Sequence, residues 1–179
     1  AGARDRLHGG NVVNDDLLPL QDFMLRLVHQ SWAYDNLTGQ DAAPLAWTPV
    51  LTCATPGNLS VAYTTQKATV TKVGISIFYD FNIETSSFTH TTAAGDLSVT
   101  GLPFASLGSG GGVFVGKLSW GGITKANFTE IDCEIAGVGS TSFRFVASGS
   151  AQALTIIAIT DLPTGGAVRL RGSGRYFVQ

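Results

Sequence analysis

Glu130, Asp132 and Glu134 are the residues of this chain whose types and spacing could do chemistry. Alternate side chains of a strand share a face, so these carboxylates project together while Ile131, Cys133 and Ile135 point the other way. Paired carboxylates can act as acid and base on a glycosidic bond, or hold a hard cation such as Ca²⁺. A glycosidase, however, sets its carboxylates against each other across roughly 5–9.5 Å. Three on the outer face of one strand fit that geometry poorly. Like charges side by side on a sheet face repel, so cationic partners are expected. Arg144, Arg169 and Arg171 are the candidates, the last two again alternating on one face. The reading is a solvated, ion-paired face, with no catalytic residue assigned and Glu130, Asp132 and Glu134 kept as weak metal candidates.

Other chemical signals are sparse. His8, His29 and His90 are scattered, with no two at metal-ligand spacing. There is no Gly-x-Ser-x-Gly elbow and no Gly-Lys-Ser/Thr phosphate loop. The glycine-rich stretch 108–112 leads into a strand and reads as a flexible loop. No cofactor is expected. A softer candidate is the loop SSFTHTTAAGD, in which Phe88, His90, Thr91 and Thr92 could contact a glycan. Loops at the end of a rigid scaffold commonly carry function, although an ordinary hairpin loop explains the same residues. Three Asn-x-Ser/Thr triplets, at Asn36, Asn58 and Asn127, are read as chance matches.

The elements that must position these residues are strands. From Ile75, apolar residues alternate at Ile77, Tyr79, Phe81 and Ile83, which is the period of a half-buried strand. The stretch 70–83 organises the chain. Further strands are expected near residues 50–53, 60–64, 69–73, 97–100, 113–120, 128–135, 142–146, 153–159, 168–171 and 175–178. Turn residues separate them, including Pro56-Gly57-Asn58, Gly121-Gly122 and Pro163 to Gly166. Many short strands and no βαβ rhythm predict a mainly β domain, an antiparallel β-sandwich or jelly-roll-like fold over residues 43–179.

Residues 1–42 read differently. An extended arm, 1–14, precedes a helix in which Leu17, Leu20, Met24, Leu27, Ser31 and Tyr34 form one stripe. Asp15 and Asp16 suit its N-terminus. Such a helix is too short to stand alone in water, so it must bury its stripe against its own domain, copies of itself or a larger partner. Leu17, Leu20, Met24, Leu27 and Tyr34 are the candidate anchor or oligomer residues. Residues 39–46 form a linker.

Composition narrows the partners. Charged residues are 13% of the chain, about half the usual share, and hydrophobic residues are 44%. Weak surface charge with much Gly, Ser and Thr suits surfaces shared in an assembly. A net charge of −2 gives no basic footprint for nucleic acid. No apolar run is long enough for a membrane helix, so no membrane insertion is expected. No secretory leader is apparent, and the opening Ala-Gly suggests a lost initiator Met or a cut segment. Cys53 and Cys133 could pair, or serve as two buried thiols.

The β region carries Trp47-Thr48-Pro49, Tyr63 and Gln66, Thr71-Lys72-Val73-Gly74, and Gly95-Asp96-Leu97 with Gly101-Leu102-Pro103-Phe104. On these residues it resembles a module of bacteriophage virion fibres and spikes. The closing Gly172-Ser173-Gly174-Arg175-Tyr176 also looks like the end of such modules. The resemblance implies a β-sandwich, usually trimeric, on the surface of a phage particle, in a tail fibre, head fibre or capsid spike. The resulting expectation is a non-enzymatic homotrimer, tied to other virion proteins by its N-terminal arm. Its β domain would contact host surface polysaccharide or decorate the capsid. The alternatives are a small tailspike-like glycan hydrolase and a free carbohydrate-binding module.

Overall fold

A computed structural model of the protein describes residues 43–107, 114–135 and 137–178. The arm and helix expected over 1–42, with Leu17, Leu20, Met24, Leu27 and Tyr34, lie outside the described residues, as does the glycine-rich stretch 108–112.

The domain is mainly β. Its strands are β1 Leu45–Trp47, β2 Val50–Thr55, β3 Ser60–Val73, β4 Ser76–Thr89, β5 Ala94–Thr100, β6 Phe114–Gly121, β7 Glu130–Ile135, β8 Ser142–Ser148, β9 Thr155–Ile156 and β10 Arg169–Phe177. All pairings are antiparallel, and they build one ten-stranded sheet in the order β1-β3-β4-β10-β6-β7-β8-β5-β2, with β9 added to β8. A single 3₁₀ turn, Ile159–Asp161, is the helical element among the described residues.

The sheet is curled, and distances require it. Four pairings separate β4 from β8, or about 19 Å on a flat sheet at ~4.8 Å per step. Yet the ring of Phe143 on β8 lies 4.9 Å from that of Phe81 and 5.5 Å from that of Tyr79, both on β4. The two halves therefore face each other, sandwich-like, over one apolar interior. Phe143 is its hub, since Trp47 and Phe145 also meet that ring edge-on at 6.4 and 5.7 Å. Burying an aromatic side chain of this size contributes roughly 1.5–3 kcal/mol.

Several elements differ from the sequence expectation. Residues 45–47 form a strand where a linker is expected, because their backbone pairs with Ala68 to Val70 of β3. Runs 60–64 and 69–73 are one strand, carried through the polar stretch by its ladder to β4, with register shifts around Tyr63. β3 and β4 meet at the two-residue turn Gly74-Ile75, where Gly74 has φ +59 as a type II′ hairpin asks. β4 runs on to Thr89 despite its polar sequence. Thr85 stays in the buried ladder because its Oγ1 accepts a hydrogen bond from the Val168 N–H at 2.9 Å. Runs 168–171 and 175–178 are likewise one strand, β10, unbroken through Gly172 and Gly174. The expected strand 153–159 shrinks to two residues before the 3₁₀ turn. Cys53 and Cys133 are free buried thiols, so the pairing alternative falls.

Candidate functional site

The interior takes every second side chain, which leaves the others to build an outer face. On β4 the inward set is Ile77, Tyr79, Phe81 and Ile83, all buried. The outward set is Phe78, Asp80, Asn82 and Glu84. On β10 the inward set is Leu170, Gly172, Gly174 and Tyr176, and the outward set is Arg169, Arg171, Ser173 and Arg175. The register sets Arg169 opposite Glu84, Arg171 opposite Asn82, Ser173 opposite Asp80 and Arg175 opposite Phe78. Beyond β10, Lys117 of β6 stands beside Ser173, and Asp132 of β7 beside Lys117.

The three carboxylates of β7 do share a face, but each is engaged. Glu130 accepts a hydrogen bond from Lys117 Nζ at 2.5 Å, and Asp132 Oδ1 lies 3.4 Å from the same ammonium. The hydrogen bond to Glu130 and the neighbouring Asp132 hold the Lys117 pKa above its ordinary value. Glu134 is buried, and its Oε1 accepts from Arg144 Nη2 at 2.6 Å and Nε at 3.1 Å. Of the expected counter-charges only Arg144 serves β7. Arg169 and Arg171 turn instead to Glu84, because β10 pairs with β4 and β6 and not with β7. Among the described residues no three His, Cys, Asp or Glu side chains gather as metal ligands.

Of the expected glycan-contact residues, Phe88 lies in β4, and His90, Thr91 and Thr92 lie in the connection between β4 and β5. Phe88 is fully buried within β4 and packs edge-on against His90. His90 is also buried, with Nε2 3.2 Å from the Leu162 carbonyl oxygen and 3.3 Å from Thr164 Oγ1. Neither ring is presented to solvent. Thr91 and Thr92 are exposed, and their backbone N–H groups donate to Asn58 Oδ1 at 2.9 and 2.8 Å. The loop is thereby tied to the β2–β3 turn.

Two open clefts lie along β10 instead. One, about 550 Å³, is lined by residues including Phe78, Asp80, Lys117, Ser173 and Arg175. The other, about 410 Å³, includes Glu84, Ser119, Trp120 and Arg169. Phe78 and Trp120 are large apolar side chains left 46% and 39% exposed. The signal for this face is present in the sequence. Arg169, Arg171 and Arg175 alternate in RLRGSGR, and Phe78 is the aromatic residue on the otherwise polar face of β4.

No family model and no curated protein matches the chain. Among solved structures the chain is similar to the Dettilon tailspike protein (gp208). The TM-score is 0.55 and the sequence identity 12%, over 76% of this chain and 24% of that one. The similarity is one of fold, and the chain spans about a quarter of that protein's length.

Proposed function

We propose that this chain is a structural component of a bacteriophage particle. It is a homotrimeric fibre or spike, anchored through residues 1–42, that projects its β domain toward the host surface. The observation that carries the reading is the curled antiparallel sheet shared with part of a protein named as a tailspike. The weakly charged, Gly-, Ser- and Thr-rich surface supports it, since such surfaces suit contact between subunits. The domain binds and does not cleave. Glu130 and Asp132 are spent on Lys117 and Glu134 on Arg144, so no two β7 carboxylates oppose each other across an open groove.

The test is the mass in solution, by light scattering across a range of protein concentrations. The reading expects three times the chain mass of 18.7 kDa. A monomer at every concentration sinks it. Removing residues 1–42 then locates the contact: a surviving trimer places it in the β domain, and a monomer places it in the N-terminal region. Shortening of a glycan chain during incubation would overturn the non-enzymatic part.

A further inference from the structure

The outer face of β3, β4 and β10 has a charge opposite to that of the whole chain. Its cations are Lys67, Arg169, Arg171 and Arg175, and its carboxylates are Asp80 and Glu84. That is a surplus of two positive charges on a chain whose net charge is −2. Glu84 is shared by Arg169 and Arg171, whose side chains remain 61% and 51% exposed. One carboxylate thus answers two guanidinium groups. Arg175 and Lys67 have no carboxylate within ion-pair distance among the described residues. Arg175 lies over the Phe177 ring, 5.0 Å from its centre.

The two clefts bracket this stripe. One sets an exposed aromatic ring beside an arginine, Phe78 with Arg175, and the other joins Arg169 to Glu84 and Ser119. At about 3.3 Å of rise per residue, Arg169 and Arg175 stand roughly 20 Å apart. Only an extended ligand can reach both. Between them lie Ser173 and, across the register, Asn82 and Asp80, the last held by Thr69 Oγ1.

We infer that this face binds an acidic polysaccharide, a chain of sugars bearing carboxylate or sulfate groups, laid along β10. The inference rests on the host-attachment reading above and names its ligand class. Guanidinium groups take such anions through paired, charge-assisted hydrogen bonds. Phe78 covers the apolar face of a sugar ring, and Ser173 and Asn82 exchange hydrogen bonds with hydroxyls. A neutral glycan would leave the cationic surplus unanswered. A nucleic acid is disfavoured because the surplus is a single stripe on an acidic chain.

The experiment uses the full chain, with its mass measured by light scattering in the same sample. The probes are fluorescein-labelled oligogalacturonate and dextran sulfate, with neutral dextran and single-stranded DNA beside them, followed by fluorescence anisotropy. At least one acidic glycan binds, with an affinity that falls on raising the salt. Neutral dextran does not bind, and DNA binds at least about tenfold more weakly. Arg175→Gln, Arg169→Gln and Phe78→Ala each weaken the acidic glycan by roughly tenfold. Lys125→Gln, which removes a positive charge outside both clefts, leaves binding unchanged. The inference is overturned if neither acidic glycan binds, if DNA binds equally well, if the stripe variants bind like the parent, or if Lys125→Gln weakens binding as much as they do. A trimer that binds no acidic glycan removes this inference alone, and a monomer that binds one removes the spike reading alone.

Discussion

Gly174 of β10 lies directly opposite Tyr79 of β4, and the Tyr79 phenol fills the space a side chain on Gly174 would need. A Cβ at Gly174 would come within 2.5 Å of Tyr79 Oη, and one at Gly172 within 2.7 Å of the ring of its partner Phe81. Two aromatic rings thus lie flat over two glycines and are held against Phe143. Gly172→Ala and Gly174→Ala are each expected to cost about 1–3 kcal/mol, as overpacking does. Urea unfolding would show the midpoint falling at constant slope. Either variant matching the parent in stability would mean that the rings shift at no cost.

Tyr79 and Tyr176 make a matched pair for a second prediction. Both are buried, but the Tyr176 hydroxyl donates to the Phe104 carbonyl oxygen at 2.9 Å, whereas Tyr79 Oη has no hydrogen-bond partner among the described residues. Tyr79→Phe removes an unsatisfied polar atom and is expected to stabilise by up to about 1 kcal/mol. Tyr176→Phe strands a carbonyl and is expected to destabilise by about 1 kcal/mol. The same change of residue thus has opposite signs at two neighbouring sites.

Alkaline pH should expose this pair as well. Burial pushes the Tyr176 pKa up to about 12. Tyr79 is pushed higher still, by burial first and then by Cys133 and Tyr176 nearby. In the unfolded chain tyrosine ionises near 10. Above that pH the unfolded state sheds protons that the folded state keeps, so stability falls as pH rises. The contribution is whole below about pH 10 and is lost through about 12 and beyond. Urea midpoints measured from pH 8 to 11.5 should decline at the alkaline end, and less steeply in Tyr79→Phe. A decline of equal slope in that variant would remove Tyr79 from the account.

What was legible in the sequence follows from where alternation survives. Ile75 to Ile83 announces β4 because its inward side chains are all large and apolar. The far half of β4 is hidden, because Thr85 occupies an inward position and satisfies its hydroxyl on Val168. Gly172 and Gly174 read as a break in β10, since a strand glycine has no side chain to pack. The rings that replace those side chains come from β4, far away in sequence. The same non-local pairing misled the charge reading. Arg169 and Arg171 alternate as a strand's outer face should, yet only the strand order reveals that they meet Glu84 and not β7. Phe88 looks like part of an exposed loop because nothing local says that β4 continues to Thr89, and His90 does so because its cover, Leu162 and Thr164, is far away in sequence.

The seam between β2 and β3 supplies a fourth prediction. These strands lie near the two ends of the sheet order and share no ladder, and two side chains bridge them. Tyr63 Oη accepts from the Leu51 N–H at 2.9 Å, and Gln66 Nε2 donates to the Pro49 carbonyl oxygen at 2.9 Å. Tyr63→Phe leaves the Leu51 amide without its acceptor, at about 1 kcal/mol. Local opening should then speed amide hydrogen exchange at Leu51 well beyond any change at Leu97 and Val99 of β5. Uniform acceleration across the sheet would mean that Tyr63 supports the whole domain and not the seam.

The carboxylates of β7 should separate by burial, although they sit two residues apart. Glu134 is 4% exposed, and Arg144, its register partner on β8, is the cation that compensates it. Arg144→Met leaves a buried charge unpaired. Breaking a fully buried pair costs about 3–5 kcal/mol, and the 36% exposure of the Arg144 side chain brings the expectation down to about 1–3 kcal/mol. Replacing both residues, Glu134→Leu with Arg144→Met, should recover most of that loss, because the desolvated charge is gone. Glu130→Gln should leave the urea midpoint where it was, since Glu130 and Lys117 are 54% and 78% exposed and water screens them. If Arg144→Met were neutral while Glu130→Gln destabilised, the load would sit on the exposed end of β7. Lys117 would then bind its carboxylates for reasons other than solvation, and the case for Glu130 and Asp132 as chemical groups would reopen.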